Sequence, residues 1–304
     1  MASPEYETVV AEMRSAPPVD LTLSPQALRA NMDAAMAGYP VPERTAVTAV
    51  SAGGTSAEWL VAEGADPARR VLYLHGGGYF YGNLDTHRGL AAAYSHASGC
   101  AVLALDYRLA PEHPYPAAVE DALTAYRWMR AHGPQGADIF RTTCIVGDSA
   151  GGGLTLATLL ALRDGDEPLP DAAVTVSAWT DLAGTGASWT TRAAADPRVR
   201  RDVIDQMARW YLGEVNPATP LASPWYADLA GLPPLLMQVG DAEVLLDDTR
   251  RVADKARKAG VDITEEVWPE MYHVWHQRRA EHPEGQAAIE RVGEYLRVHL
   301  AVPS

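Results

Sequence analysis

The sequence predicts an α/β fold whose core is a mainly parallel sheet. Three observations support this prediction: eight short apolar or alternating runs typical of strands, helical patterns between most of them from the third run onward, and no helical pattern between the first two or three. Strands that alternate with helices form a parallel sheet covered on both faces, so the helix-free start should be antiparallel. The 304 residues suffice for one large domain or two small ones.

The individual elements follow from the spacing of apolar residues. Residues 116–132 place Val119, Ala122 and Met129 on one helical stripe, and residues 285–300 show the same spacing. The eight strand runs are 44–50, 56–62, 70–75, 101–106, 143–147, 172–178, 234–240 and 262–268. Together they predict an eight-stranded, mostly parallel sheet flanked by helices.

Two segments fall outside the alternation of strands and helices. Residues 1–40 carry helical patches before the first strand, and residues 184–222 contain a helical stretch at 202–212 flanked by glycine and proline. We interpret these segments as the two parts of a helical cap over the carboxyl edge of the sheet, and 41–183 and 223–304 as the sheet domain. The alternative is an N-terminal packing arm together with an ordinary surface excursion.

Charge and cysteine content narrow the classes of function. The chain has 25 basic and 39 acidic residues, a net charge of −14 spread along the sequence, which argues against nucleic acid or an anionic membrane as a partner. Cys100 and Cys144 lie inside apolar runs and predict buried thiols rather than a disulfide. The acidic N-terminus does not match a signal peptide, and no apolar run nears the roughly 20 residues of a spanning helix. We therefore expect a soluble, cytoplasmic protein.

The string GDSAG at 147–151 marks a candidate nucleophile. It follows the apolar run of Cys144, Ile145 and Val146 and begins a second apolar stretch with helical spacing. A serine on a sharp turn from strand to helix exposes its hydroxyl, and glycines on both sides leave room for the bend. The alternative, a glycine-rich phosphate-binding turn, lacks the lysine or acidic partner of such motifs.

A second glycine-rich string, HGGG at 75–78, ends the third strand run. Backbone without side chains lets N–H groups approach a substrate, and such donors stabilise the negatively charged oxygen that forms during acyl transfer. The amide of Ala150, directly after Ser149, would add another donor. The alternative is a flexible turn.

A histidine base should follow the last strand if serine, acid and histidine occur in that order. Four histidines qualify: His273, His276, His282 and His299. His273 lies in a short loop after the strand and is the preferred candidate, with His276 next. The two could instead hold a metal, but no third ligand or H-E-x-x-H pattern accompanies them.

The acid should follow the strand at 234–240, where four carboxylates occur. Asp247 and Asp248 begin a helical pattern that ends at Gly260, and we interpret them as its cap. Asp241 and Glu243 remain, and their spacing does not separate them.

Four motifs in this order resemble those of the hormone-sensitive-lipase family of α/β-hydrolase esterases, bacterial family IV. They are HGGGYFYG at 75–82, DYRLAPEHPYPAAVED at 106–121, GDSAGGG at 147–153 and MYH at 271–273, and the likeness extends over about residues 40–300. The resemblance implies an α/β-hydrolase fold in which 1–40 and 184–222 form the cap.

The resemblance also implies roles for individual residues. Ser149 would be the nucleophile and His273 the base, with an oxyanion hole formed by the amides of Gly77, Gly78 and Ala150. The segment at 106–121 would act as a structural brace.

At the position of the acid, the sequence departs from the family pattern. The family acid is the first Asp of a D-x-L-x-D string, which here reads EVLLD, so the matching position holds Glu243. Either carboxylate can orient an imidazole, and Asp241 stays an alternative.

The implied activity is that of a serine carboxylesterase acting on short- to medium-chain acyl esters without a metal or other cofactor. The expected partner is a small-molecule ester, and the sequence leaves open whether the chain is a monomer or a homodimer. Tyr79, Phe80 and Tyr81 could line the substrate pocket or belong to the core. An amide or N-acyl hydrolase using the same residues is one alternative, and a non-catalytic receptor for small molecules is another.

Overall fold

The computed structural model describes residues 2–137 and 140–301 and contains an eight-stranded sheet with helices on both faces. The strands are β1 (Thr45–Ala52), β2 (Thr55–Ala62), β3 (Asp66–Leu74), β4 (Cys100–Leu105), β5 (His132–Gly133), β6 (Gly136–Ala137), β7 (Thr142–Asp148), β8 (Ala172–Val176), β9 (Leu235–Gly240) and β10 (Ile263–Trp268). The helices are α1 (Pro4–Ser15), α2 (Pro25–Met36), α3 (Leu84–Ser98), α4 (Ala117–Ala131), α5 (Ala150–Asp164), α6 (Ser188–Thr191), α7 (Arg201–Leu212), α8 (Leu246–Lys258) and α9 (Pro283–His299), with short 3₁₀ turns at Pro224–Tyr226 and Trp275–Arg278.

The order of strands in the large sheet is β1-β2-β4-β3-β7-β8-β9-β10, and β5 pairs only with β6 in a small hairpin. β1 pairs with β2 and β2 with β4 in antiparallel fashion, whereas every other pairing in the large sheet is parallel. The predicted α/β class, eight strands and antiparallel start are therefore confirmed. All of the parallel strands end at the same edge, where loop residues from several strands meet.

The parallel strands bury both of their faces, because successive side chains point to opposite sides of the sheet. Leu72 belongs to one apolar layer, whereas its neighbours Val71 and Tyr73 belong to the other. The first layer includes residues of α4, α5 and α8, and the second includes residues of α3 and α9. The loops at the sheet edge therefore rest on strands that are closely packed on both faces.

Two strand boundaries differ from the prediction for local reasons. β3 begins at Asp66 rather than residue 70, because an irregularity between Asp66 and Arg70 lets the strand continue its pairing with β4. β8 ends at Val176 rather than residue 178, because the backbone of Ser177 has a φ of 49° and leaves the extended conformation.

Both segments that precede or interrupt the sheet contain the expected helices. α1 and α2 begin with a serine cap, Ser3 or Ser24, followed by proline at the first helical position. α7 starts at Arg201, one residue before the predicted stretch. The division into a sheet domain and a two-part cap stays a prediction.

Cys100 and Cys144 are both free and buried, as predicted. In the described parts of the chain, no helix combines the length and apolar character needed to cross a membrane.

A tight contact between α3 and α9 gives a prediction about stability. A Cβ atom at Gly293 would lie 2.4 Å from the backbone oxygen of Ala97. Gly293→Ala should lower the free energy of unfolding by a net of about 1–2 kcal/mol, because overpacking against backbone outweighs the gain of about 1 kcal/mol in helix propensity. Urea unfolding measures the change.

Val298→Ala on the same helix is the control, since Val298 is 71 % exposed, and it should change stability by less than about 0.5 kcal/mol. A stabilised Gly293→Ala protein would contradict the contact.

Candidate active site

Ser149 occupies the sharp turn between β7 and α5 that the GDSAG string predicts. Its backbone has φ 53° and ψ −121°, a sparsely populated region that costs about 1–3 kcal/mol. The amide of Ser149 donates to the carbonyl of Val176 at 2.8 Å, and the amide of Trp179 donates to the carbonyl of Ser149 at 2.9 Å. These bonds to the end of β8 hold the strained turn in place.

The two glycines of the string are required by close backbone packing. A Cβ atom at Gly147 would lie 2.1 Å from the carbonyl oxygen of Gly151, and one at Gly151 would lie 2.0 Å from the carbonyl oxygen of Leu74. The turn therefore packs directly against the end of β3. The two glycines of the GDSAG string lie at the two positions where this close packing leaves no room for a side chain.

The structure brings His273 to Ser149. His273 follows β10, is 5 % exposed, and its Nε2 lies 2.9 Å from Ser149 Oγ. His276, the second candidate, is fully buried with Nε2 2.7 Å from the side-chain oxygen of Gln238. Burial lowers the pKa of His276 to about 3. In the described ranges, no group of three or more His, Cys, Asp and Glu side chains is arranged to hold a metal ion.

Glu243 lies next to His273, and Asp241 does not. Glu243 Oε2 is 2.7 Å from His273 Nδ1, while Asp241 Oδ1 accepts a hydrogen bond from the amide of Glu270 at 2.7 Å. The turn after β9 thus directs the two carboxylates to different partners. Glu243 has no exposed surface, so its interaction with His273 is shielded from water.

The interpretation of Asp247 and Asp248 as a helix cap was wrong. The residue at the cap position of α8 is Leu245, and both aspartates lie in the first turn, where their charge suits the helix dipole. Their side chains bind other segments: Asp247 accepts from the amide of Ser188, and Asp248 accepts from the amide of Thr180.

Sequence reasoning missed Ser177. Its hydroxyl donates to Glu243 Oε1 at 2.7 Å and accepts from the amide of Val274 at 3.1 Å, and the same Oε1 accepts from the amide of Gly240 at 2.7 Å. Ser177 therefore links the acidic side chain to the loop that carries His273. No local motif marks this serine, because its partners are distant in sequence.

The HGGG string forms a loop that begins after β3 and reaches the same site. Gly77 has a φ of 119°, and a Cβ atom there would lie 2.0 Å from the carbonyl oxygen of Tyr81. The amides of Gly77, Gly78 and Ala150 donate to no acceptor among the described residues. These three amides are therefore available as hydrogen-bond donors.

A buried polar cluster lies beneath Ser149. The hydroxyl of Tyr73 donates to Asp148 Oδ1 at 2.5 Å, and burial raises the pKa of Asp148 to about 6. His75 stacks on Tyr107 at a centroid distance of 4.2 Å, and burial lowers its pKa to about 4. His75 is thus a neutral packing residue at the start of the loop that carries the HGGG string, here called the glycine loop.

The 106–121 segment contributes ion pairs and a contact to this loop. Arg108 pairs with Asp121 at 2.8 Å, and Glu112 pairs with Arg29 of α2 at 2.5 Å. Arg29 also donates to the carbonyl of Phe80 at 2.7 Å. These contacts connect α2 to the segment after the glycines.

Ser149 and His273 open into a cavity of about 80 Å³. Its remaining lining residues are mainly apolar and come from residues 1–40, the glycine loop and residues 184–222: Val19, Met32, Gly78, Tyr81, Arg198, Val199, Arg200, Val203, Ile204 and Met207. Of the three aromatics after HGGG, Tyr81 lines the cavity, whereas Tyr79 and Phe80 belong to the core.

The fold and this arrangement define an α/β hydrolase. Residues 71–277 match the family described as alpha/beta hydrolase fold. A solved esterase from the bacterial hormone-sensitive lipase family superposes with a TM-score of 0.92 and 44 % identity, over 99 % of this chain and 100 % of that one. The chain belongs to this family, which confirms the resemblance of its motifs.

Curated relatives agree. An acetyl-hydrolase from Streptomyces hygroscopicus is 51 % identical over 82 % of this chain and 81 % of its own length. An esterase from Acinetobacter venetianus is 32 % identical over 91 % and 90 %, respectively. The predicted class of enzyme, an ester hydrolase, is thereby confirmed at the level of the family.

The raised pKa of Asp148 predicts a pH-dependent stability. Its reference value is 3.8 and its folded value about 6, so the folded state loses stability as the pH rises from about 4 to about 7. Asp148→Asn removes this loss. The free energy of unfolding of the variant minus that of the wild type should therefore be greater at about pH 8 than at about pH 5, by about 1 kcal/mol.

Urea unfolding at both pH values provides the measurement, with the exposed Asp228→Asn as control. The same difference from wild type at both pH values would show that Asp148 titrates normally in the folded protein.

Proposed function

We propose that the chain is a serine carboxylesterase that hydrolyses short- to medium-chain acyl esters. The observation that carries the proposal is the 2.9 Å distance between Ser149 Oγ and His273 Nε2 at a mainly apolar cavity. An uncharged hydroxyl needs such a base to become a nucleophile. Gly78 lines the same cavity and supplies one of the free amides.

The proposed reaction has two steps. His273 takes the proton of Ser149 as Oγ forms a bond to the ester carbonyl carbon, and the resulting oxyanion accepts hydrogen bonds from the amides of Gly77, Gly78 and Ala150. The carbon–oxygen bond to the alcohol then breaks, and the alcohol leaves with the proton from His273. Water attacks the acyl-enzyme by the same route, which releases the carboxylic acid and restores Ser149.

Glu243 has the role of the acid in this proposal. Its Oε2 accepts the Nδ1 proton of His273, fixes the tautomer that leaves Nε2 free to accept, and stabilises the imidazolium that forms. The bonds from Ser177 and Gly240 to Oε1 hold the carboxyl group in this orientation. Ser177 is therefore a positioning residue.

The size of the cavity supports a short acyl group. Its 80 Å³ is far below the roughly 300–1,000 Å³ of pockets for drug-sized ligands. Two similar proteins agree with this size: one is named an acetyl-hydrolase, and one solved structure, 43 % identical, was soaked with p-nitrophenyl butyrate. Residues 1–40 and 184–222 supply most of the apolar lining, which supports their interpretation as a cap.

The test of the function is hydrolysis of p-nitrophenyl esters from acetate to laurate. We expect kcat/KM to be highest among the short chains and to fall for laurate, which exceeds the cavity. Ser149→Ala should reduce kcat by about 10⁶, because the remaining groups cannot replace the nucleophile. Ser98→Ala, which removes a buried serine hydroxyl from α3, is the matched control with unchanged kcat.

Three outcomes would contradict the proposal. Faster cleavage of p-nitroacetanilide than of p-nitrophenyl acetate, after correction for the uncatalysed rates, would indicate an amide hydrolase. Stoichiometric binding of the ester without turnover would indicate a receptor. Full activity in Ser149→Ala would assign the chemistry to another group.

A second prediction separates the two candidate acids. Glu243→Ala should lower kcat for p-nitrophenyl acetate by about 10⁴, because His273 loses the carboxylate that orients it. Asp241→Ala removes only the bond to the amide of Glu270 and should cost less than about 10-fold. A larger loss at Asp241 than at Glu243 would reverse the assignment.

A further inference from the structure

Arg198 forms no ion pair with a carboxylate among the described residues. It lines the cavity beside Ser149 and His273. Its Nη1 donates to the carbonyl of His273 at 3.2 Å, and its Nη2 donates to the side-chain oxygen of Gln277. Within the described residues, no carboxylate oxygen lies within 4 Å of this guanidinium, although the hydroxyl of Tyr81 and, at longer range, the buried Asp148 interact with it.

Two other arginines near this site are paired with carboxylates. Arg200 lies 2.6 Å from Asp202, and Arg278 lies 2.7 Å from Glu12. Neutral oxygens orient the guanidinium of Arg198 but leave its charge in place, and a half-buried charge without a carboxylate at ion-pair distance is costly. The cost is offset if a ligand supplies the missing anion.

The surroundings of Arg198 are basic although the chain has a net charge of −14. The cavity of about 80 Å³ at Ser149 and His273 is here called the small cavity. A second cavity of about 600 Å³, here called the outer groove, shares five lining residues with it: Val19, Met32, Tyr81, Arg198 and Arg200. Its charged lining residues are Arg14, Arg198, Arg200, Arg278, Glu12 and Asp196.

Neither carboxylate of the outer groove is free to bind a cation. Glu12 pairs with Arg278, and Asp196 accepts hydrogen bonds from the amides of Val244, Arg198 and Val199. Arg200 and Arg278 are paired as well, so Arg14 and Arg198 face only Asp196, an excess of one positive charge. A cleft lined by an excess of one charge attracts ligands of the opposite charge. The outer groove therefore favours anions.

The two cavities divide the substrate between them. The small cavity beside Ser149 has a volume of about 80 Å³ and suits a short acyl group, and the outer groove on the other side of Arg198 has room for a larger alcohol portion. We propose that the preferred substrates are esters of a short acyl group with an anionic alcohol, whose carboxylate, sulfonate or phosphate group binds Arg198. This inference rests on the proposed esterase function and specifies its substrate class.

The test compares 4-acetoxybenzoate with 4-acetoxybenzamide, which differ in the charge of the alcohol portion. The measured quantity is the ratio of their kcat/KM values in the wild type and in Arg198→Gln. A hydrogen bond to a charged group contributes roughly 1.5–3 kcal/mol, so the ratio should fall about 10- to 100-fold in the variant. Any disturbance of the His273 loop affects both substrates and cancels in the ratio.

Arg209→Gln is the matched control. Arg209 lies on α7 and is exposed, and among the described residues its side chain binds only Gln206, at 2.7 Å, so its substitution removes the same unit charge outside both cavities. The ratio should stay unchanged in Arg209→Gln. An equal fall in both variants would show a general charge effect and overturn the role of Arg198, as would an unchanged ratio in Arg198→Gln.

An inhibition experiment tests the same proposal on the wild-type protein and does not depend on the folding of a variant. We expect 4-hydroxybenzoate to inhibit hydrolysis of p-nitrophenyl acetate more strongly than 4-hydroxybenzamide, with an advantage that decreases as NaCl is added. Equal inhibition would overturn the proposal while leaving the esterase function intact. If the enzyme hydrolyses none of the three esters, 4-acetoxybenzoate, 4-acetoxybenzamide and p-nitrophenyl acetate, the proposed esterase function itself is overturned.

Discussion

The strained backbone at Ser149 is the constraint on which the rest of the site depends. A residue with φ 53° and ψ −121° persists only where its surroundings leave no alternative. Here the end of β3 packs against Gly151, and the end of β8 binds both the amide of Ser149 and, through Trp179, its carbonyl. Packing and hydrogen bonds at the centre of the sheet, where both faces are buried, therefore offset the backbone strain. The same close packing fixes the direction of the Ser149 hydroxyl.

The same sheet edge carries the groups that surround this hydroxyl. Ser177, Glu243 and His273 follow β8, β9 and β10, which are neighbours in the sheet although distant in sequence. Burial of the polar side chain of Glu243 is costly, and its hydrogen bonds with His273, Ser177 and the amide of Gly240 compensate for the water it loses. From residues 184–222, Asp196 binds the amide of Val244 and Arg198 binds the carbonyl of His273. The cavity wall thus also holds the loops of the site.

The sequence predicts those features of the fold and site that depend on residues close together in the chain. Strands buried on both faces are read from apolar runs, and the GDSAG and HGGG strings are read from glycines that closely packed backbone requires. The choice between Asp241 and Glu243 could not be made this way, because one turn after β9 directs two carboxylates two residues apart to Glu270 and His273. Ser177 and Arg198 have no local pattern at all, because their partners come from distant loops.

The choice of base follows from the environments of three histidines near the sheet edge. Burial lowers the pKa of His75 to about 4 and that of His276 to about 3, because neither imidazole has a carboxylate partner that would stabilise its charged form. Of the three, His273 alone has a carboxylate oxygen at hydrogen-bond distance, at 2.7 Å. A base must hold a proton while the tetrahedral intermediate exists, and a buried imidazole can do so only beside a negative charge. The pairing of His273 with Glu243 therefore supports His273 as the base more strongly than its position after β10 does.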